Sequence, residues 1–389
     1  MKTLFLPIGV FCKTGSGTTP SRNKYERYFN GSIPWVKSGE LRESIITETE
    51  EKVTEEALAE TSLKLAPKGS VLVAMYGANV GRVGILGINA TTNQAVCYLV
   101  PEKDKADSRY LFHALQQKLP EFISRSVGGA QPNISQQIIR ETKIPLPPLE
   151  EQKRIAEILD QAEELRRKRR EAIAQLDTLT QSIFLEMFGD PVKNPKNIKT
   201  LPLAKVCKRI TDGTHQPPKW STSGYPFLFV SNIVSGEINF DTVKFISSET
   251  HEELTRRCPI EFSDVLYSTV GSYGVPVIVK TQRKFAFQRH IAHIKPDLNL
   301  IDSQFLCAML ASPALKRQAD RSARGIAQKT VNLEEIRKFI IILPPLSLQK
   351  EFAQRVEAVE ELKKSHRASL SELDALFASL QHRAFRGEL

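Results

Sequence analysis

Pro147-Pro148-Leu149-Glu150-Glu151-Gln152-Lys153 returns 197 residues later as Pro344-Pro345-Leu346-Ser347-Leu348-Gln349-Lys350. The match extends both ways: Gly128–Phe188 superposes on Gly325–Phe385 without a gap, and 22 of those 61 pairs are identical, which rules out coincidence. They include Gly128/Gly325, Ala130/Ala327, Gln131/Gln328, Ile139/Ile336 and Arg140/Arg337. Upstream the likeness is fainter. Leu6-Pro7 faces Leu201-Pro202, and Cys12-Lys13 faces Cys207-Lys208, both at an offset of 195. Val71-Leu72, Gly77 and Gln94 face Val265-Leu266, Gly271 and Gln288 at 194. A repeat of this kind sets the domain count before any local reading does. The chain divides into a globular block at 1–148, a helical segment at 149–188, a linker at 189–199, a second block at 200–345, a second helix at 346–385 and a tail at 386–389.

The repeated segments carry helical periodicity. Ile155, Leu159, Ala162, Leu165, Ile173, Leu176, Leu179, Ile183 and Met187 recur at steps of three and four or their sums. Phe352, Val356, Val359, Leu362, Leu370, Leu373, Phe377, Leu380 and Ala384 do the same in the second copy. So narrow an apolar seam suits one helix paired with another. Paired prolines mark both starts, where a missing N–H costs nothing, and Gly189-Asp190-Pro191 stops the first helix. A helix of this length makes a rod of about 58 Å at ~1.5 Å per residue. Its most economical partner is its own copy, lying antiparallel, so that one chain imitates a symmetric dimer with a head at each end of a stalk. The heads would then lie a few tens of Å apart, on the order of one DNA turn.

Composition narrows the function. The chain has 389 residues, 41% hydrophobic and 25% charged, and a net charge of +10. That excludes wholesale disorder and collagen-like or low-complexity filaments. The five cysteines are scattered and never spaced CxxC, which argues against a disulfide framework or zinc ribbon and points to a reducing cytoplasm. No apolar run reaches the ~18–20 residues of a membrane span. Thr3–Cys12 reads as a first strand, not a signal peptide. The positive charge is concentrated: the blocks at 1–148 and 199–345 carry net +4 and +7, while 149–198 and 346–389 carry −1 and zero. Two basic heads on neutral helices suit a polyanion, since each neutralised phosphate releases a counterion. A coiled-coil scaffold with two unrelated cargo sites is the competing reading.

The fold class is α/β (α+β): two sheet-rich globular domains joined by two long antiparallel coiled-coil helices. Gly69–Ala74 and Asp264–Ser268 read as buried strands, each followed by a glycine turn, and Leu111–Gln117 and Leu306–Ala311 have helical spacing. Gly77, Gly81, Gly84 and Gly87 lack the spacing of a dinucleotide loop and read as a hairpin.

This layout resembles the DNA-specificity (S) subunit of type I restriction-modification systems. The resemblance rests on the two Pro-Pro-Leu helix starts, on Phe188-Gly189-Asp190-Pro191, on Thr211-Asp212-Gly213-Thr214-His215 opening the second head, and on Gly128…Gln131 and Gly325…Gln328 before the helices. It covers nearly the whole chain; the second copy departs from it at Ser347-Leu348. It implies that each head is a target-recognition domain reading one half of a split asymmetric target, with the helices as a ruler for the unread spacer. It implies two methyltransferase (M) subunits docked on the helices and restriction/translocase (R) subunits beyond them. S-adenosylmethionine, ATP and Mg would be bound by those partners, in a role of phage defence.

The chain itself shows no chemistry of its own. It lacks a methyltransferase cofactor loop, an Asn/Asp-Pro-Pro-aromatic motif and a Walker lysine motif. Glu151-Gln152-Lys153 resembles a nuclease ExK but has no paired Pro-Asp upstream. The seven histidines form no metal-ligand set, and no cysteine near His290 and His293 in sequence completes one. The expectation is a non-catalytic DNA-binding subunit without a metal; a DNA-modifying or DNA-cleaving enzyme acting alone is the alternative.

Direct readout needs Arg, Lys, Asn and Gln at base edges, with hydroxyls and amides on phosphates. In the first head the candidates are Lys13, Thr14, Ser16, Thr18, Thr19 and Arg22, on a loop whose glycines would allow close approach to DNA, with Tyr76, Asn79, Arg82 and Gln94. In the second they are Thr211, Thr214, His215, Tyr273, Gln288, Arg289, Arg324 and Lys329. The basic run Arg166-Arg167-Lys168-Arg169-Arg170, echoed by Lys363-Lys364 and Arg367, faces DNA or a partner, or is a solvated face balanced by Glu163, Glu164 and Glu171.

Overall fold

The computed structural model describes residues 4–127, 132–325 and 328–389. The repeat residues Gly128, Ala130, Gln131 and Ala327 lie outside them. The chain forms two compact units, Met1–Arg170 with Ala368–Leu389, and Glu171–Arg367. The division falls inside both long helices, so each unit holds part of each.

The first unit is built on a five-stranded sheet in the order Cys12–Ser16, Val96–Pro101, Val71–Ala74, Val83–Leu86, Ile45–Ile46. Val71–Ala74 is buried along its whole length, as its unbroken apolar run requires. It pairs with Val83–Leu86 as a hairpin, with Gly81 at φ +81, so the glycine cluster serves a turn. Glu51–Val53, Phe29–Val36 and Thr91–Thr92 form a separate three-stranded sheet whose strands interleave with the main-sheet strands along the chain. The first predicted strand is broken: Phe5–Pro7 pairs with Lys143–Pro145, a 3-10 turn at Ile8–Val10 follows, and a new strand starts at Cys12. Ser108–Gln117 packs on the main sheet, capped by Asp107, whose carboxylate accepts the amides of Arg109 and Tyr110.

The second unit repeats the plan. Its main sheet runs Cys207–Asp212, Ile291–Pro296, Val265–Ser268, Pro276–Ile278. The registers correspond: Cys12 faces Pro101 and Cys207 faces Pro296, while Val71 faces Leu99 and Val265 faces Ile294. Thr200–Pro202 pairs with Ile340–Ile342 as Phe5–Pro7 does with Lys143–Pro145. Helix Ser303–Ala311 is capped by Asp302 in the same manner as its counterpart.

The long helices run Leu149–Phe188 and Leu346–Ala384. Within each unit their segments lie antiparallel. In the first, Arg166 Nε meets Asp374 Oδ1 at 2.6 Å, and Arg154 reaches the carbonyl of Leu389 at 2.7 Å. In the second, Lys363 Nζ meets Asp177 at 2.9 Å and Arg355 meets Glu186 at 3.6 Å. The helices also enter the cores of the heads. Ile155, Ala156, Leu159, Ala162, Phe377 and Ala384 join the first core, and Phe184, Phe188, Phe352 and Val356 join the second.

The seam differs from its predicted course in mid-helix. Leu165 and Leu362 are 53% and 52% exposed, and Leu179 is exposed too. One residue further along, Arg166 and Lys363 take the inward positions instead; the side chain of Lys363 is only 11% exposed. An apolar stripe drifts against a 3.6-residue turn, and here the chain fills the inward position with a cation and an opposing aspartate.

Candidate nucleic-acid interface

In each unit the loop after the first main-sheet strand is laid tightly on the neighbouring backbone. Thr18 N–H donates to Thr92 O at 3.0 Å, and Thr214 N–H to Phe287 O at 3.2 Å. A Cβ on Gly17 would lie 1.8 Å from Thr92 O, and one on Gly213 2.0 Å from Phe287 O. The ring of Tyr98 likewise fills the space beside Gly15. These glycines permit close approach by the protein's own chain, which for Gly15 and Gly17 corrects the expectation that they clear room for DNA.

The first-head candidates separate into engaged and exposed groups. Thr14 Oγ1 accepts from Gln136 at 2.8 Å, Thr18 Oγ1 pairs with Ser62 at 2.7 Å, and Thr19 donates to Gln94. Arg22 makes a two-pronged pair with Glu51 at 2.7 and 3.1 Å and lies 4.3 Å from the ring centre of Phe29. Trp35 supports this loop by donating its indole N–H to Thr18 O at 3.1 Å. Lys13, Ser16, Tyr76 and Arg82 are exposed and Asn79 half-buried. Tyr76 sits where the chain bridges to Asn133.

The second-head candidates converge more closely. Thr214 bridges Gln288, and Arg289 N–H donates to Thr214 O at 3.0 Å. Thr214, His215, Gln288 and Arg289 line one cleft. Thr211 lies half-buried on the adjoining strand, and His215 Nε2 approaches Asp212 at 2.9 Å. Arg324 and Lys329 form a neighbouring exposed group: Gly271 N–H donates to Lys329 O, and Arg324 pairs with Thr330. Thr269 joins the two groups, donating to His290 O and accepting from Val331 N–H. Tyr273 presents little to solvent: it is buried, its hydroxyl donates to Asp320 at 2.7 Å, and Lys316 Nζ stands 3.7 Å from its ring centre.

Three features escaped the sequence reading. Trp220, 43% exposed, lines the Arg289 cleft with Phe227 and Phe229, and Lys244 Nζ lies 5.2 Å from the Trp220 ring centre. An aromatic face beside arginine suits a base or sugar. Only Pro217-Pro218 before it marked the site locally. His290 completes the wall; burial, then the charge of Arg289, holds its pKa below the usual value, favouring neutral imidazole. Finally, Cys258 does stand beside His293, with Sγ 3.4 Å from Nδ1, although 35 positions separate them in the chain. No cysteine lies near this histidine in the sequence, which carried no sign of the contact.

The basic mid-helix run is substantially paired. Arg166 bonds Glu163 and Asp374, Arg167 and Lys168 bond Glu164, and Arg170 bonds Glu163 and Asp374. Lys363 bonds Asp177 and Glu360, and Arg367 bonds Glu237. The balanced-helix reading fits these contacts.

No helix among the described residues is long and apolar enough to cross a membrane. The family model for the type I restriction modification DNA specificity domain matches residues 5–175 and again 195–375. The chain is 26% identical over 332 residues to the type I restriction enzyme EcoBI specificity subunit of Escherichia coli, covering 77% of this chain and 69% of that protein. It is 26% identical over 371 residues to the MjaIX specificity subunit of Methanocaldococcus jannaschii, covering 90% and 84%. Its fold is similar to that of the type I S subunit from M. genitalium, with a TM-score of 0.59, 14% identity and coverage of 98% and 96%. With the domain matched twice along a chain whose two units repeat one scaffold, the protein belongs to the type I restriction-modification DNA specificity family.

Proposed function

We propose that each globular block reads one half of a split, asymmetric DNA target while the paired helices set the unread interval. The observation that carries this reading is a shared scaffold bearing unlike surface groups. Gly17 and Gly213 pin equivalent loops, yet the position of Arg289 in the second head is held by Ala95 in the first, and that of His215 by Thr19. Like frames with unlike side chains favour two different half-sites. In the second head, Gln288 and Arg289 serve base edges, Thr211 and Thr214 phosphates, and Trp220 stacking. In the first, Lys13, Ser16, Tyr76, Asn79 and Arg82 do this work.

The helices dock two methyltransferase subunits and, through them, restriction subunits. Leu165 and Leu362 occupy equivalent positions, as do Leu179 and Leu376, and all four are exposed. Apolar residues kept exposed at the same place in both copies suit a partner that binds twice. Base modification and DNA cleavage, with S-adenosylmethionine, ATP and Mg, reside in those cytoplasmic partners, and this chain is their non-catalytic guide.

The experiment is selection of bound duplexes from random DNA by the chain assembled with its methyltransferase subunits. A two-part consensus with unlike halves and a fixed unread spacer is the expected result. A single contiguous or palindromic consensus contradicts the reading, as does turnover of DNA by the chain alone with Mg or S-adenosylmethionine.

A further inference from the structure

Behind the Thr211–His215 loop lies a second cleft of the same unit, with a volume of about 420 Å³. Half-buried Cys258 lines it together with His293. Cys258 Sγ faces His293 Nδ1 at 3.4 Å, and His293 Nε2 meets Asp264 Oδ2 at 2.6 Å. His293 and Asp264 are 1% and 4% exposed. Asp264 is fixed in turn by the amide of Glu261 at 2.8 Å and by Lys295 at 3.0 Å. A thiol, an imidazole and a buried carboxylate in line form the arrangement that activates a cysteine nucleophile.

The electrostatics agree with this geometry. Burial alone would raise the Cys258 pKa, but its hydrogen bond to His293, with Lys295 and Arg209 nearby, brings it below the ordinary thiol value. Burial pushes Cys12, Cys97, Cys207 and Cys307 up to about 12. One thiol of five is therefore set apart. The fold does not require the cluster: the sheet position of His293 is Tyr98 in the first unit, and that of Asp264 is Ser70.

We propose that Cys258 is a modification site that undergoes exchange with a small anionic disulfide, leaving a mixed disulfide in the cleft beside Thr211–His215. The Cys258 thiol gives up its proton to solvent, its thiolate Sγ attacks one sulfur of R–S–S–R, the S–S bond breaks, a Cys258–S–S–R bond forms, and RS⁻ departs into solvent as the free thiolate. A free thiol reverses the step. Arg209, Arg256 and Arg257 on the cleft wall, against Asp212 and Glu253, favour an anionic R group. The adduct crowds the loop that carries Thr211, Thr214 and His215, and so weakens DNA reading by this unit; that consequence rests on the function proposed above.

The test treats the native full-length chain with dithiobis(nitrobenzoate), an anionic disulfide whose released thiolate absorbs light. One thiol should react at least about tenfold faster than the rest and map by peptide mass to Cys258, and Cys258→Ser should abolish that phase. His293→Gln should slow it about fivefold or more. Exposed Arg209→Gln should slow reaction with the anionic disulfide more than reaction with neutral iodoacetamide, a check that does not disturb the buried pair. A fast phase at another cysteine, or unchanged rates in both variants, overturns the site. The adduct should lower DNA affinity about tenfold, dithiothreitol should restore it, and Cys258→Ser should bind normally and ignore the reagent. Full modification with unchanged affinity overturns the coupling to DNA. Absence of DNA binding by the unmodified chain contradicts the DNA-reading role alone, since the fast phase is read without DNA.

Discussion

Arg166 and Lys363 stand 197 residues apart and make the same contact, each to an aspartate of the facing long helix: Asp374 at 2.6 Å and Asp177 at 2.9 Å. Those aspartates are themselves 197 residues apart. A contact in which each copy offers its cation to the other's carboxylate requires the helices to run in opposite directions. The repeat thus fixes the pairing through reciprocal charges at the point where the apolar seam is interrupted.

Removing Arg166 and Asp374 singly and together should reveal coupling of about 1 kcal/mol in urea unfolding, because the pair is partly shielded from solvent. The Lys363–Asp177 cycle should give a similar value. Additive losses in both cycles would show that the pairs do not bind the helices.

Gln152 and Gln349 tie each helix start to its head. Gln152 Oε1 accepts the amide of Asp107 at 2.9 Å and its amide group donates to Lys105 O and Pro147 O; Gln349 does the same with Asp302, Leu300 and Pro344. Both are fully buried. Gln349→Leu leaves three backbone groups unpaired and should cost about 3–9 kcal/mol at roughly 1–3 kcal/mol per orphaned group. Exposed Lys350→Ala should cost almost nothing. Equal urea midpoints for the two variants would contradict this role.

His293 and Asp264 give the second unit a pH signature. Burial opposes the charge on His293, but Asp264 and Cys258 outweigh it and raise the pKa above its ordinary 6.5. That stabilisation is complete below 6.5 and fades as pH rises through the raised folded value. Asp264 shifts the other way: burial opposes ionisation, and His293, the Glu261 amide and Lys295 lower it below 3.8. Its contribution is present above 3.8 and is lost as pH falls through the lowered value. Unfolding followed from acid to alkaline pH should show the wild type losing its advantage over His293→Gln on the alkaline side. Parallel curves would contradict the assignment.

Arg289→Ala should weaken DNA binding by about 1–3 kcal/mol and relax preference within one half-site only. Competition with duplexes altered one base at a time measures this. Uniform weakening over all sequences would assign Arg289 to phosphate instead.

The repeat was legible as identities held at one offset, the helix limits near Leu149 and Leu346 from paired prolines and local periodicity, and the buried strands at Val71 and Val265 from short apolar runs. Facing was less legible. Leu165 and Leu362 fit a heptad, but which residue turns inward depends on what the other helix offers. The reason for Gly17 and Gly213 was hidden because the carbonyls they graze belong to distant strands. Trp220 beside Arg289, and Cys258 beside His293, are products of tertiary folding across tens of residues, to which periodicity carries no clue.

The most direct measurement lengthens both long helices by one matched heptad and maps the bases methylated by the assembled complex. About 10 Å of added helix corresponds to roughly three base pairs, at ~1.5 Å per residue and ~3.4 Å per base pair. The expected result is the same two half-sites with the unread spacer longer by about that amount. Unchanged spacing, or new half-site sequences, would contradict a ruler built from the paired helices.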